Sequence, residues 1–293
     1  MRFVTFRHAG TARAGILDGD DAVVDLGHGS MRDRLSGLEP RVERFVEHGL
    51  DRVAAAIAGH GAAARLPLAG VELLAPLRPT RIFGAAFNYR TALAERGMPP
   101  PVEPVLFVKR PETVIGPGAP IVLPAGIGGV TYEAELAVLI GRECRDVGVA
   151  DALSRVAGYA AFNDIGASEM IRRDGHFDRG KNLPTFGPFG PYLATADEIA
   201  DPQALALGLT MDGESLQDGN TADMLFGVAE LIAFLSRRTV LRPGDLIATG
   251  TPAGVAPVRR PPTWVRPGST LSMWIEGLGT LTNPVVEGAS YDG

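Results

Sequence analysis

Little in this sequence invites a disulfide, a membrane or a nucleic acid. Cys144 is the only cysteine, so no internal disulfide can form, and a reducing compartment is expected. No stretch approaches the ~18 uninterrupted apolar residues of a membrane helix. Even the run LIAFLS at 231–236 is flanked by Glu230 and Arg237. The opening MRFVTFRHAG lacks a signal-peptide core of about seven apolar residues, so a soluble, cytoplasmic protein is the expectation. Acidic residues outnumber basic ones, 34 to 28, for a net charge of −6. A phosphate-backbone partner needs a basic face, so this balance speaks against nucleic acid and leaves small-molecule chemistry open. No GxGxxG follows a strand and no GxxxxGK[ST] occurs, which leaves dinucleotide and P-loop readings unsupported. Internal repeats and low-complexity tracts are absent.

What is there is ordinary globular material: 45% hydrophobic and 21% charged residues in a chain of 293. That length exceeds a rough ~150-residue domain, so a small domain (1–75) followed by a larger one (76–293) is expected. The first unit reads as strand, turn, strand. Phe3 to Phe6 alternate, Gly10 breaks the run, and Asp18-Gly19-Asp20 is turn chemistry before Val23-Val24-Asp25-Leu26. Residues 31–58 carry Leu35, Leu38, Val42, Phe45, Val46, Val53 and Ile57 at helical spacings, which predicts a helix there. Gly59, Gly61 and Pro67 close the unit, and Pro76 and Pro79 bracket the connector. Beyond Ile82 the texture becomes short β-like runs between Gly and Pro, at 105–108, 132–140, 158–162, 205–211, 245–249 and 271–275. One helix is predicted at 221–237, with Met224, Leu225, Val228, Leu231, Ile232 and Leu235 on one stripe. The expected class is mostly β with supporting helices.

The most informative segment is 131–140, TYEAELAVLI. Side chains alternate along a strand, so Glu133 and Glu135 project from one face about 6.5–7 Å apart. That face continues as Ala137 and Leu139, and the other carries Leu136, Val138 and Ile140. Two carboxylates entering an apolar, partly buried site repel each other and lose hydration, which calls for a cation. Hard oxygen donors suit Mg²⁺, Mn²⁺ or Ca²⁺ better than zinc. An edge strand with both carboxylates facing water is the alternative. Asp164 ends a second apolar run, GYAAFND at 158–164, where a third ligand would be presented; a helix cap is its other reading.

These segments resemble the fumarylacetoacetate hydrolase family. TYEAELAVLIGR is similar to its Glu-x-Glu strand, GYAAFND to its third-ligand strand, and RGKNLPTFGPFGPYL to its active-site lysine segment. LRPGDLIATGTPAGV at 241–255 and IEGLGTLTNPV at 275–285 match its later signatures in order and spacing. The resemblance spans about 80–286, and the opening resembles the small N-terminal domain of bacterial members. It implies a mixed β-sandwich roll with a small N-terminal α+β domain, usually as a homodimer, and a Mg²⁺ or Mn²⁺ site held by Glu133, Glu135 and Asp164. It further implies Lys181 and Glu95 as catalytic groups, and Tyr89, Lys109 and Thr251 on the substrate. Members act on dicarbonyl or enolisable carboxylic acids: hydrolases of acylpyruvates and fumarylacetoacetate, oxaloacetate decarboxylases, and isomerases of hydroxymuconate-type acids.

Three departures stand out. Members that hydrolyse C–C bonds commonly read Asn-Tyr-x-x-His-x-x-Glu, but here Ala92 occupies the histidine position between Tyr89 and Glu95. Losing a general acid–base group typically removes roughly 10²–10⁴-fold of rate. Of the histidines His8, His28, His48, His60 and His176, only His176 falls in the family core. The stretch after Asp164 lacks the family's arginine and glutamine, reading Gly166 to Ile171, and Lys-Ser-x-Asp becomes Lys181-Asn182-Leu183-Pro184. All three changes make the pocket less polar. Hydrolytic C–C cleavage is the family default; decarboxylation, keto–enol isomerisation, hydration or a biosynthetic rearrangement are the alternatives. A binding protein without turnover is the rival class, opposed by the joint presence of Glu133, Glu135, Asp164 and Lys181. Residues 88–104, with Gly97 and four prolines, are expected to form a cover over the metal.

Overall fold

Seven consecutive residues, Ala134–Ile140, are buried without alternation. A strand with that pattern must be covered on both faces, and it lies inside a sheet of 12 strands. The computed structural model describes residues 1–59 and 64–290, so His60 and Gly61 lie outside the described residues. Along the main path of that sheet the order is Arg65–Pro67, Ala22–Asp25, Thr11–Asp18, Arg2–His8, Gly187–Thr195, Val156–Asn163, Ala134–Ile140, Asp245–Ala248, Arg81–Ala86 and Val105–Lys109. Most neighbours are antiparallel; Asp245–Ala248 and Arg81–Ala86 run parallel. The N-terminal strands extend the same sheet, because Arg2–His8 pairs with Gly187–Thr195. A second sheet of five strands runs Glu214–Asn220, Ala206–Met211, Thr270–Ile275, Gly279–Ser290 and Ile121–Ala125.

Two hydrophobic cores follow from strand alternation. Leu136, Val138, Ile140, Tyr159 and Ala161 face a core shared with Leu207, Leu209, Met273 and Leu281 of the second sheet. Ala137, Leu139, Ala160 and Phe162 face the other way, into a core with Phe3, Phe45, Val53 and Ile57. This is a mostly-β sandwich with supporting helices, as expected: Val42–His48 and Leu50–Ile57 pack in the second core and Val228–Ser236 in the first. After Val105–Lys109 the chain reaches Gly187–Thr195 through the short strand Val114–Ile115, which pairs parallel with it.

Two helical expectations need correction. The span 31–58 is three helices, Gly29–Arg32, Val42–His48 and Leu50–Ile57. Pro40 disfavours helix before it and offers no N–H, and Gly49 at φ +104° turns the chain between the last two. Likewise 221–237 is a short 3₁₀ turn, Thr221–Asp223, and a helix, Val228–Ser236. Between them Met224 bridges to Tyr89, Leu225 N donates to Asn88 O (2.7 Å), and Phe226 N donates to Asn88 Oδ1 (2.9 Å). Tertiary hydrogen bonds there replace helical ones. The stretch 88–104 opens with a helix, Arg90–Arg96, which Gly97 ends in the left-handed conformation.

Candidate metal centre

Strand register brings the carboxylates together. Ala134 pairs with Asn163 and Glu135 with Phe162, so the start of Ala134–Ile140 and the end of Val156–Asn163 share one edge of the sheet. Glu133 sits just before its strand and Asp164 just after its own. Their backbones are tied: Asp164 N donates to Glu133 O (2.9 Å), and Asn163 Oδ1 accepts from Glu133 N (3.0 Å). One oxygen from each of Glu133, Glu135 and Asp164 lies within 4.8 Å of the others. The strand after which Thr249, Gly250 and Thr251 follow ends at the same edge. Gly250 N donates to Glu135 Oε2 (2.9 Å). That amide can point there only because residue 250 is glycine: φ is +91°, and a Cβ would lie 2.8 Å from Ala85 O.

Two buried ammonium groups complete the cluster. Lys181 Nζ stands 2.8 Å from Glu133 Oε2 and 2.7 Å from Asp164 Oδ2. Lys109 Nζ stands 2.8 Å from Asp164 Oδ1 and also donates to Ile165 O and Lys181 O. Lys109 is therefore buried, while Arg110 beside it is exposed. Neither Asp164 oxygen accepts a hydrogen bond in good geometry; each is met only by an ammonium charge. Burial works to raise the Asp164 carboxyl, but Lys109 and Lys181 outweigh it and hold it below the usual range. Burial likewise pulls the Lys181 ammonium down, and Asp164 and Glu133 outweigh that, so it stays charged. Glu135 has no such partner. Burial, then Asp164 and Glu133, push its carboxyl well above the ordinary glutamate range, against Lys181 and the Gly250 amide.

The donor set fits a hard divalent cation. Three carboxylates against two ammonium groups leave net negative charge at a buried point, and the deficit is concentrated on Glu135. All the offered donors are oxygens, which suits Mg²⁺ or Mn²⁺.

The remaining expected site residues are placed as follows. Thr251 donates its hydroxyl to Ala134 O (2.9 Å) and accepts from Gln217 Nε2 (2.8 Å), while Gln217 Oε1 accepts from Ala134 N (2.9 Å). Thr251 thus clamps the backbone between the two glutamates. Tyr89 is fully buried, and its hydroxyl has no hydrogen-bond partner among the described residues. Burial, then Glu135, push that phenol well above its ordinary value, so it remains protonated. Glu95 is exposed on the helix Arg90–Arg96 and accepts from Gly254 N (2.9 Å). Ala92 is buried, and His176 is exposed at the surface. Sequence reasoning missed Gln217, Asn163 and Asn88, whose amides hold the backbone around the site. Asn163, next to Asp164 in GYAAFND, and Asn88, before Tyr89 in the Asn-Tyr pattern, carry a local signal; Gln217 carries none.

Residues 81–286 match the model of the fumarylacetoacetate hydrolase C-terminal domain. The chain is similar along its whole length to three solved structures. A fumarylacetoacetate hydrolase from Exiguobacterium antarcticum superposes with a TM-score of 0.86 at 31% identity, covering 98% of this chain and 100% of that one. A maleylpyruvate hydrolase from Sphingobium sp. SYK-6, solved with manganese(II) and pyruvate, gives 0.79 at 30% identity over 98% and 100%. A 5-carboxymethyl-2-hydroxymuconate delta-isomerase from Mycobacterium smegmatis gives 0.77 at 31% identity over 98% and 100%.

Proposed function

Because this chain belongs to the fumarylacetoacetate hydrolase family, we propose that it is a divalent-metal-dependent enzyme acting on an enolisable 2-oxo acid, with C–C bond hydrolysis as its default reaction. The observation that carries the proposal is the convergence of Glu133, Glu135 and Asp164 with Lys181 wedged between two of them. The pyruvate and manganese in the Sphingobium relative support the same class of ligand and metal. Glu133, Glu135 and Asp164 are the groups that would hold Mg²⁺ or Mn²⁺, and the bound ion supplies Lewis-acid polarisation of adjacent substrate oxygens. Lys181 places a permanent positive charge where enolate charge accumulates, which stabilises that charge in a water-poor site. Tyr89 offers a neutral hydroxyl donor beside Glu135. Glu95 is the proposed acceptor of a proton from water, once released from the Gly254 amide. A cytoplasmic homodimer is the proposed state, checked by light scattering.

Isomerisation is the second reading, favoured by one observation. Ala92, buried on the helix that carries Glu95, provides no acid–base group where family hydrolases commonly place a histidine. The test is a panel of acylpyruvate, oxaloacetate and a 2-hydroxymuconate-type acid, each assayed with EDTA, Mg²⁺ and Mn²⁺. Metal-dependent loss of acylpyruvate absorbance supports hydrolysis, and metal-dependent shift of the dienol band without cleavage supports isomerisation. No metal-dependent change in any of the three overturns the proposal.

A further inference from the structure

Three phenyl rings meet beside Lys181. Phe107 lies two residues before Lys109 on the strand Val105–Lys109, so both project from the same face. Its ring centre is 5.8 Å from Lys181 Nζ. Phe177 precedes the helix Asp178–Lys181, and its carbonyl accepts from Lys181 N (2.9 Å). The Phe177 ring lies 4.9 Å from that of Phe107 and 6.2 Å from that of Phe87, which follows the strand Arg81–Ala86. Three separate stretches of chain thus deliver one ring each. Opposite Phe107 in register is Gly84, where a Cβ would fall 2.1 Å from the Phe107 ring, so the ring packs directly against bare backbone.

None of the three belongs to either core; each is half-buried. Phe87 also adopts φ +59°, the left-handed region in which a residue with a bulky Cβ substituent is disfavoured relative to glycine. A half-exposed ring held in that conformation gains little from burial, so stability alone does not account for it. Two of the arginines close to Phe177 in sequence, Arg173 and Arg179, pair with Asp174. Arg110 pairs with Asp178. What the rings add to the charged centre is an apolar, aromatic face.

We propose that Phe87, Phe107 and Phe177 form the wall against which the acyl substituent of the substrate packs, and that the preferred 2-oxo acids carry an aryl or branched-alkyl group rather than a second carboxylate. This rests on the metal-dependent 2-oxo-acid reading above. The face of a phenyl ring favours stacked or edge-on aromatic partners, which gives the wall its selectivity.

The test is calorimetric binding to the Mn²⁺-loaded full chain with oxalate, pyruvate, phenylpyruvate and 2-oxoglutarate as probes. Phenylpyruvate is expected to bind about 10-fold tighter than pyruvate, with 2-oxoglutarate no tighter than pyruvate. Phe87→Gly relaxes the backbone while deleting a ring. It should bring the phenylpyruvate-to-pyruvate ratio to near one, leave oxalate affinity unchanged, and leave Tm equal or higher. A merely structural ring gives the opposite result, a lower Tm with the ratio intact, and that overturns the assignment. Should Phe87→Gly fail to fold, Phe177→Leu, which keeps an apolar chain without a ring, decides on the same ratio. If oxalate binds but phenylpyruvate shows no preference over pyruvate, the aromatic wall alone falls. If oxalate does not bind with Mn²⁺ present, the metal-site reading falls and takes this inference with it.

Discussion

Replacing Glu135 by glutamine should make the metal-free protein more stable and the metal-loaded protein relatively less so. The donor oxygens of Glu135, Glu133 and Asp164 lie within 4.8 Å of one another. At that distance and an effective dielectric of about 20, two carboxylates repel by about 3.5 kcal/mol. Lys181 and Lys109 neutralise Glu133 and Asp164, whereas Glu135 receives one backbone amide. The carbonyl of the substituted glutamine can keep that amide bond while its NH₂ donates toward the carboxylates. Allowing for partial protonation and the opposing charge of Lys181, the relief is about 1–3 kcal/mol, or about 2–6 °C in Tm for a chain of this size. In the unmodified protein, Mn²⁺ at about 100-fold its Kd adds about 2.7 kcal/mol, roughly 5 °C, and E135Q should lose most of that gain. The sign with pH follows. A carboxyl raised in the folded state stabilises below the ordinary glutamate pKa, and that contribution is lost as pH rises through its elevated value. The metal-free Tm of the unmodified protein should therefore fall with rising pH over that window, and E135Q should flatten the slope. Differential scanning fluorimetry in EDTA and in MnCl₂ reads all of this. A metal-free E135Q that melts below the unmodified protein, or an undiminished Mn²⁺ shift in E135Q, would refute the reasoning.

Three further outcomes are expected. Ala92→His should not raise acylpyruvate hydrolysis, because residue 92 is buried and a larger ring there costs about 1–3 kcal/mol by overpacking; a rate increase of tenfold or more would restore the ordinary hydrolase mechanism. Amides in 88–104 should exchange more slowly when Mn²⁺ and oxalate are bound, since this segment is the proposed cover and reaches the rest of the chain partly through Glu95 and the Gly254 amide; identical exchange with and without ligand counts against a cover. Burial raises the phenols of Tyr132 and Tyr159 to about 12, and the Tyr132 hydroxyl donates to Gly254 O. Both groups stabilise the fold fully below the ordinary tyrosine pKa, and that stability is lost as pH rises toward 12. A steepening fall in Tm across that window, coincident with the ultraviolet absorbance change of tyrosinate formation, is the expected result, and Tyr132→Phe should reduce it.

The local chemistry of this protein was legible in its sequence. Alternation placed Glu133 and Glu135 on the Ala137 and Leu139 face, and the structure puts that pair of apolar residues together in one core. The largely apolar character of both faces of Ala134–Ile140, Glu135 aside, signals burial on both sides, and all seven residues are buried. Spacing alone could not show that Lys109 is buried rather than part of an exposed basic pair, since strand periodicity says which face a residue takes and not what covers it. The helices at 31–58 and 221–237 were misjudged for a related reason. Their apolar stripes are real, but Pro40, Gly49 and the tertiary hydrogen bonds of Asn88 outcompete local helical propensity.

Register and chain return were decided only by the tertiary structure. Pairing Ala134 with Asn163 sets Asp164 beside Glu133 from 31 residues away in sequence, and a slip of one residue would turn the carboxylates to the opposite face. Gln217, from the strand Glu214–Asn220, and Thr251, from the loop after Asp245–Ala248, hold the backbone between the glutamates. Phe87, Phe107 and Phe177 carry no common motif at all. Side-chain type and period are properties of neighbouring residues and can be read along the chain. The neutralisation of Asp164 by two lysines and the gathering of three rings depend on distances between segments, which only the folded chain specifies.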